Sequence, residues 1–91
     1  MEIRWSPEAA DDLERIIRYI QRDNLSAAVD IADTIYDGVQ VLDTFPARGR
    51  AGRINGTREL VFPSLPYIIV YRLRGEIVQI VRVYHAAQDW P

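Results

Sequence analysis

The sequence of 91 residues has no cysteine and no lysine, and it has a single histidine, His85. The absence of cysteine excludes disulfide bonds, a thiolate nucleophile and cysteine-ligated zinc or iron–sulfur sites. One histidine alone does not build a usual transition-metal site. We therefore expect neither a metal nor another cofactor, and the lack of cysteine favours the cytoplasm as the location.

Long hydrophobic runs are also missing. The longest apolar run is YIIVY at 67–71, which is far below the roughly 20 residues needed to span a bilayer. The start, MEIRW, has an acidic residue where a signal peptide is basic, and no apolar segment follows it. With 48% apolar residues and this length, the chain is expected to fold as one domain over residues 1–91, away from membranes.

Charge is divided unevenly along the chain. Residues 1–46 carry ten acidic residues and four arginines, whereas residues 47–91 carry seven arginines and three acidic residues. Arginine has a planar fork that binds carboxylates and phosphates in bidentate fashion. The second half therefore predicts a basic surface for an acidic partner, either nucleic acid or an acidic protein segment.

The pattern of apolar residues predicts two helices and four strands. Ser6 can cap the first helix and Pro7 suits its first position, while Ser26 or Asn24 can cap the second helix, which ends before Phe45 and Pro46. Residues 47–57 contain three glycines and three arginines and predict a loop. The remaining runs predict strands at 1–5, 58–62, 67–73 and 77–85. The order β-α-α-β-β-β indicates an α+β fold with a helical hairpin on a mainly antiparallel sheet.

Arginines and aromatic residues of the second half are the candidate binding groups. Arg72 and Arg82 lie inside predicted strands, which indicates a sheet face open to solvent or to a binding groove. Tyr67, Tyr71 and Tyr84 are either core or edge tyrosines or rings that stack on bases. The residues that we expect to bind a partner or target are Arg48, Arg50, Arg53, Arg72, Arg74, Tyr84 and Trp90.

The same stretches together resemble the RelE/ParE superfamily of bacterial toxins from type II toxin–antitoxin modules. The resemblance rests on WSPEAADDLERIIRYI, FPARGRAGRINGTREL, PYIIVYRL and IVRVYHAAQDWP, in this order and nearly end to end. It implies a curved antiparallel sheet under a helical hairpin, and a cognate antitoxin that neutralises the toxin in a hetero-oligomer. Operator DNA would be contacted only through the antitoxin.

The superfamily has two mechanisms, and the resemblance implies different residues for each. RelE-type toxins are mRNA interferases that cut mRNA in the ribosome. In that case His85 would be the acid/base, and Arg58 and Arg82, with Arg72 nearby, would stabilise charge on the phosphate. ParE-type toxins bind DNA gyrase and are not nucleases, and they also commonly carry a histidine after the last strand.

Three features favour the ParE and plasmid-stabilisation branch. Phe62 and Pro63 stand where RelE-type toxins carry an arginine, there is no lysine-rich segment, and the pI of about 5.3 is low for a protein that enters ribosomal RNA. The primary hypothesis is therefore a toxin that arrests growth by acting on gyrase. The alternatives are an mRNA endonuclease and a degenerate toxin that only binds antitoxin.

Overall fold

The computed structural model describes residues 1–90 and contains two helices and five strands. The strands are β1 (Glu2–Trp5), β2 (Arg50–Ala51), β3 (Arg58–Val61), β4 (Tyr67–Arg74) and β5 (Ile77–His85). The helices are α1 (Pro7–Gln21) and α2 (Leu25–Gln40), and a 3₁₀ turn, Val41–Asp43, follows α2. The predicted order is confirmed, with one correction: β2 lies inside the predicted loop.

The five strands form one sheet in the order β1-β5-β4-β3-β2. β1 pairs with β5 in parallel, and the other three pairings are antiparallel. β1 and β5 can be parallel neighbours because the helical hairpin and the rest of the sheet connect them. β2 exists because Arg50 pairs with Glu59 across the ladder, a tertiary contact that the local sequence does not signal. The predicted α+β fold is confirmed.

Both helices begin at side-chain caps. The Ser6 hydroxyl accepts a hydrogen bond of 3.0 Å from the backbone N–H of Ala9, and Pro7 occupies the first helical turn. Of the two predicted caps of α2, Asn24 is the one used, because its side chain accepts from the Ala27 N–H. The helices start where the sequence predicts, and each places its apolar side on the same face of the sheet.

The core lies between that sheet face and the helices. Tyr71 of β4 is fully buried in it, together with Ile35, Leu42, Ile69 and Ile80. The Tyr71 hydroxyl donates to the Pro46 carbonyl at 2.7 Å and accepts from the Gly49 N–H at 2.8 Å. A Cβ at position 49 would come within 2.7 Å of the Tyr71 ring, so glycine is required for this contact. Through these two hydrogen bonds Tyr71 holds residues 46–49, which lead into β2, against the core.

We expect the substitution Tyr71→Phe to lower the free energy of unfolding by about 1–3 kcal/mol. The change leaves the buried Gly49 N–H without its acceptor and the Pro46 carbonyl without its donor. Urea denaturation would measure it, with Tyr67→Phe as a control in the same strand, where the ring is only half-buried. Equal stability of the two variants would contradict this role for the hydroxyl.

Within residues 1–90, neither helix is both long enough and apolar enough to cross a membrane.

Candidate partner-binding surface

The outer face of the sheet carries a small apolar cluster. Ile68, Val70 and Tyr84 alternate with core residues along β4 and β5, so their side chains point away from the helices. Trp90 covers this cluster and stacks on Tyr84, with 5.3 Å between ring centroids and 14° between ring planes. Two of the predicted binding residues, Tyr84 and Trp90, are thus brought into direct contact.

The buried carboxylate of Glu59 lies next to this cluster and binds Arg50 and Arg53 of the loop 47–57. Glu59 is 2% exposed, and its Oε1 accepts from Nε and Nη2 of Arg50 at 3.1 and 2.9 Å. Its Oε2 accepts from the backbone N–H of Arg53 at 3.1 Å. The Arg53 Nη1 donates to the Trp90 carbonyl at 2.7 Å. Glu59 therefore fixes the loop on the sheet, and Arg53 connects the loop to the C-terminal tryptophan.

The Tyr84 hydroxyl is the one buried side-chain polar atom of residues 1–90 that has no hydrogen-bond partner. Burial is the main cause that raises the pKa of Tyr84, and the negative charge of Glu59 raises it further, whereas Arg53 and Arg50 oppose the shift. The phenol thus stays protonated at neutral pH and retains one unused donor. A polar group of a partner that reaches this point would satisfy it.

The remaining arginines of the predicted binding set are Arg48, Arg72 and Arg74. In the strands, the Arg72 Nε donates to the Gln79 Oε1 at 2.7 Å, and Arg74 is exposed at the end of β4. Arg48 is exposed just before β2. None of these three arginines has a carboxylate partner among the ion pairs of the described residues. Their charge is therefore available to an acidic partner.

Arg82, by contrast, is held by an aspartate of α1. Its Nε and Nη2 donate to the two carboxylate oxygens of Asp12 at 2.6 and 3.0 Å. This hydrogen bond is the main cause that raises the pKa of Arg82. Asp12 is only 7% exposed, so this carboxylate of α1 is buried rather than solvated. The charge of Arg82 is compensated within the fold.

Asp12 also belongs to a row of side chains that closes the edge of β5. β1 pairs with β5 only as far as Ile80. Beyond that point Ser6 Oγ donates to the Val81 carbonyl at 3.0 Å, Asp12 accepts from the Val83 N–H at 2.9 Å, and Gln88 Oε1 accepts from the His85 N–H at 2.8 Å. An open strand edge invites pairing with other chains, and these side chains prevent it here.

His85 lies at the exposed end of β5, opposite Tyr67. Its Nδ1 accepts a hydrogen bond of 3.0 Å from the backbone N–H of Ala87, and the ring meets Tyr67 edge-on at 5.6 Å. A neutral imidazole whose Nδ1 accepts carries its proton on Nε2. In this arrangement His85 presents a donor to the cavity of about 340 Å³ that it lines with Tyr19 and Tyr67.

The proposed nuclease residues do not converge. Arg58 pairs with Tyr71, whereas His85 pairs with Tyr67. Two strand spacings and four residues along the strands put their Cα atoms about 16 Å apart. The Arg58 guanidinium donates to the carbonyls of Ala47 and Gly49 at 3.2 and 2.8 Å. The guanidinium of Arg58 thus binds backbone carbonyls and that of Arg82 binds Asp12, and neither is hydrogen-bonded to His85.

Sequence reasoning missed the two buried carboxylates, Asp12 and Glu59. Asp12 lies beside the apolar stripe of α1, where a helical wheel leaves burial undecided. Glu59 stands between Arg58 and Leu60 in a short strand, and a charged residue within such a strand is a weak sign of a buried ion pair. The burial of both carboxylates depends on arginine partners, Arg82 for Asp12 and Arg50 for Glu59.

Comparison with known proteins agrees with this architecture. The family described as "ParE toxin of type II toxin-antitoxin system, parDE" matches residues 3–90. The putative toxin Y4kP of Sinorhizobium fredii is 45% identical over 89 residues, 98% of this chain and 92% of that protein. Toxin RelE2 of Caulobacter vibrioides is 34% identical over 87 residues, 96% of this chain and 97% of that protein.

A solved structure shares the fold. A chain of the chromosomal ParDE toxin–antitoxin system from P. aeruginosa superposes with a TM-score of 0.81 at 26% identity, over 93% of this chain and 95% of that one. The family match spans nearly all of the chain, and the relatives cover it end to end. The chain therefore belongs to the ParE toxin family of type II toxin–antitoxin systems.

Proposed function

We propose that this toxin arrests growth by binding DNA gyrase, in the manner of the ParE branch, without a catalytic step of its own. The observation that carries the proposal is that Arg58 and His85 lie on strands that are not neighbours, at pairing positions four residues apart along β4, with Arg82 held by Asp12. A phosphoryl-transfer site needs its acid/base and its charge stabilisers around one phosphate. Such a toxin acts where gyrase is, in the cytoplasm.

A cognate antitoxin neutralises the toxin in this proposal. Support comes from the ParDE toxin–antitoxin system to which the superposed P. aeruginosa chain belongs. Support also comes from Arg48, Arg72 and Arg74, which form no ion pair within residues 1–90. Carboxylates of an antitoxin segment would pair with these arginines, and its polar groups would reach the Tyr84 hydroxyl beside Trp90. Operator DNA would be contacted through the antitoxin.

An mRNA endonuclease is the second candidate function. It is favoured by the similarity to the Caulobacter toxin named RelE2 and by the exposed position of His85 at a cavity that Arg15 also lines. In that function His85 would serve as the acid/base at the phosphate. The third alternative, a degenerate toxin that only binds antitoxin, predicts no growth arrest.

Induced expression of His85→Ala separates these candidates. For a gyrase-binding toxin we expect the growth arrest to persist, because the exposed imidazole holds only a local hydrogen bond with the Ala87 N–H and an edge contact with Tyr67. For an endonuclease the variant would lose toxicity on the order of 10²–10⁴-fold. Growth curves and viable counts after induction measure the effect.

Two assays on the unsubstituted protein complete the test. Purified toxin should inhibit supercoiling by gyrase, while ribosome-bound mRNA should acquire no new 5′ ends. Intact supercoiling together with new 5′ ends would reject the gyrase proposal. Growth that continues under strong induction without antitoxin would favour the degenerate alternative.

A further inference from the structure

An apolar row crosses the outer face of the sheet from β3 to β5. Val61 pairs with Ile68, and Ile68 pairs with Tyr84, so the three side chains are direct cross-strand neighbours on one face. Ile68 and Tyr84 are 5 and 3% exposed, whereas Val61 is 46% exposed. The row spans two strand spacings, about 10 Å. It is therefore covered at the Tyr84 end and open to solvent at the Val61 end.

The cover is the C-terminal segment 86–90, which we call the strap. Trp90 packs against the row from this segment, while residues 86–89 are exposed. Within residues 1–90, Asp89 and Trp90 make a single hydrogen bond, which runs from the Arg53 Nη1 to the Trp90 carbonyl. The end of the strap is thus held by one ring stack and one hydrogen bond to an exposed arginine. A segment with so few contacts opens at low cost in free energy.

The closed strap leaves a polar group unsatisfied. The Tyr84 hydroxyl is buried without a hydrogen-bond partner, and a buried donor without an acceptor destabilises the state that contains it. A protein that brings a carbonyl or carboxylate oxygen to this point would satisfy the hydroxyl. The closed state therefore invites exchange with a partner that supplies the acceptor.

The chemistry of the row suits a protein rather than a nucleic acid. Two of its three side chains, Val61 and Ile68, are aliphatic and give a base no ring to stack on. Beside the row, Glu59 and Arg50 neutralise each other. Opening of the strap frees the guanidinium of Arg53, which fits a carboxylate. The matching partner therefore presents an aromatic or long aliphatic side chain next to a carboxylate.

We propose that the strap closes this row in the free toxin and that gyrase binds the row once Trp90 has moved off Tyr84. The inference rests on the proposed function, because that proposal identifies the partner as gyrase. Gyrase would place an apolar side chain on Val61 and Ile68, an oxygen at the Tyr84 hydroxyl and a carboxylate at Arg53. An antitoxin whose polar groups reach the same hydroxyl would then occupy a surface that gyrase needs.

The effect of Trp90→Ala on gyrase binding tests the strap by its sign. The substitution removes the ring that competes with gyrase, so we expect binding to tighten by about 10-fold if the open state has a population of roughly 10% in the free toxin. Asp89→Ala changes the exposed neighbouring residue and should leave the affinity within about 2-fold. Surface plasmon resonance on immobilised gyrase measures both variants. Weaker or unchanged binding of Trp90→Ala would overturn the strap.

Tyr84→Phe tests the hydroxyl separately from the ring. The change removes a buried donor that has no partner, so in urea denaturation the free toxin should be at least as stable as the unsubstituted chain. Its affinity for gyrase should nevertheless fall by about 5-fold, because the oxygen of the partner loses its donor. Tyr19→Phe is the control on the exposed side of α1 and should change neither quantity. Full gyrase affinity of Tyr84→Phe would contradict the contact at the hydroxyl.

Two further outcomes separate this inference from the proposed function. Failure of the unsubstituted chain to bind gyrase would reject the proposed function itself. Gyrase binding that is the same for the unsubstituted chain, Trp90→Ala and Tyr84→Phe would leave the proposed function intact and overturn the strap. If Trp90→Ala tightened only the binding of the antitoxin, the occupant of the row would be the antitoxin, and its assignment to gyrase would be wrong.

Discussion

The substitution Asp12→Ala is expected to lower the free energy of unfolding by about 2–4 kcal/mol. The side chain is 7% exposed and accepts three hydrogen bonds, two from Arg82 and one from the Val83 N–H. Without it the guanidinium loses its counter-ion and the N–H of β5 loses its acceptor. The partial exposure of Arg82, 39% of its side chain, keeps the loss below that of a fully buried pair.

Asp11→Ala is the matched control for this change. Asp11 is the neighbouring residue of α1, has the same side chain, and is exposed, so its replacement should change stability by no more than about 0.5 kcal/mol. Urea denaturation at neutral pH gives both values. Equal stability of the two variants would mean that the Asp12–Arg82 pair does not hold α1 against β5.

Asp12→Ala should also change the association state of the protein. The carboxylate blocks the N–H of Val83 on the segment of β5 that β1 leaves unpaired. Once that group is free, the strand edge becomes a template for pairing with another chain. Light scattering at increasing protein concentration should therefore show more association for Asp12→Ala than for Asp11→Ala.

Removal of Arg48, Arg72 and Arg74, which form no ion pair within residues 1–90, should have the largest effect on partner binding. Arg48→Ala, Arg72→Ala and Arg74→Ala, combined in one chain, are expected to weaken antitoxin binding by about 100-fold at low salt, because charge-assisted hydrogen bonds are the stronger ones. The difference from the unsubstituted chain should shrink as salt rises, since exposed charges are screened over roughly 10 Å. These positions leave the Arg50–Glu59 and Arg82–Asp12 pairs intact.

A second triple variant controls for net charge. Arg15→Ala, Arg18→Ala and Arg22→Ala remove the same charge from α1 and its C-cap residue, where all three side chains are exposed. If the arginines of the sheet bind an acidic segment of the antitoxin, this variant should retain its antitoxin affinity. Equal losses for the two triple variants would indicate that only net charge matters, which would contradict a localised arginine surface.

Much of the fold followed from local chemistry. Ser6 and Pro7 begin α1, Asn24 begins α2, and the β-branched runs of 67–73 and 77–85 become β4 and β5. These features depend on neighbours in sequence, because a cap bonds within its own helical turn and a hairpin closes over a few residues. The family resemblance rested on the same stretches and was confirmed.

The candidate site was predicted only as a set of residue types. The sequence indicated that arginines of 47–91 and the residues Tyr84 and Trp90 would serve binding. It did not distinguish Arg82, which is held by Asp12 across 70 positions of sequence, from Arg74, which is exposed. Distinguishing them requires the position of α1 relative to β5, a matter of long-range packing.

The sequence by itself determined the helices, the main strands, their order, the uneven charge and the family of this protein. Tertiary structure alone decided that Glu59 and Asp12 are buried, that β2 forms, and that Arg58 lies far from His85. It also decided that apolar side chains of α2, such as Leu25 and Tyr36, remain exposed. The physical reason is that local propensity acts over a few residues, whereas burial and charge pairing depend on which distant surfaces meet when the sheet closes on the hairpin.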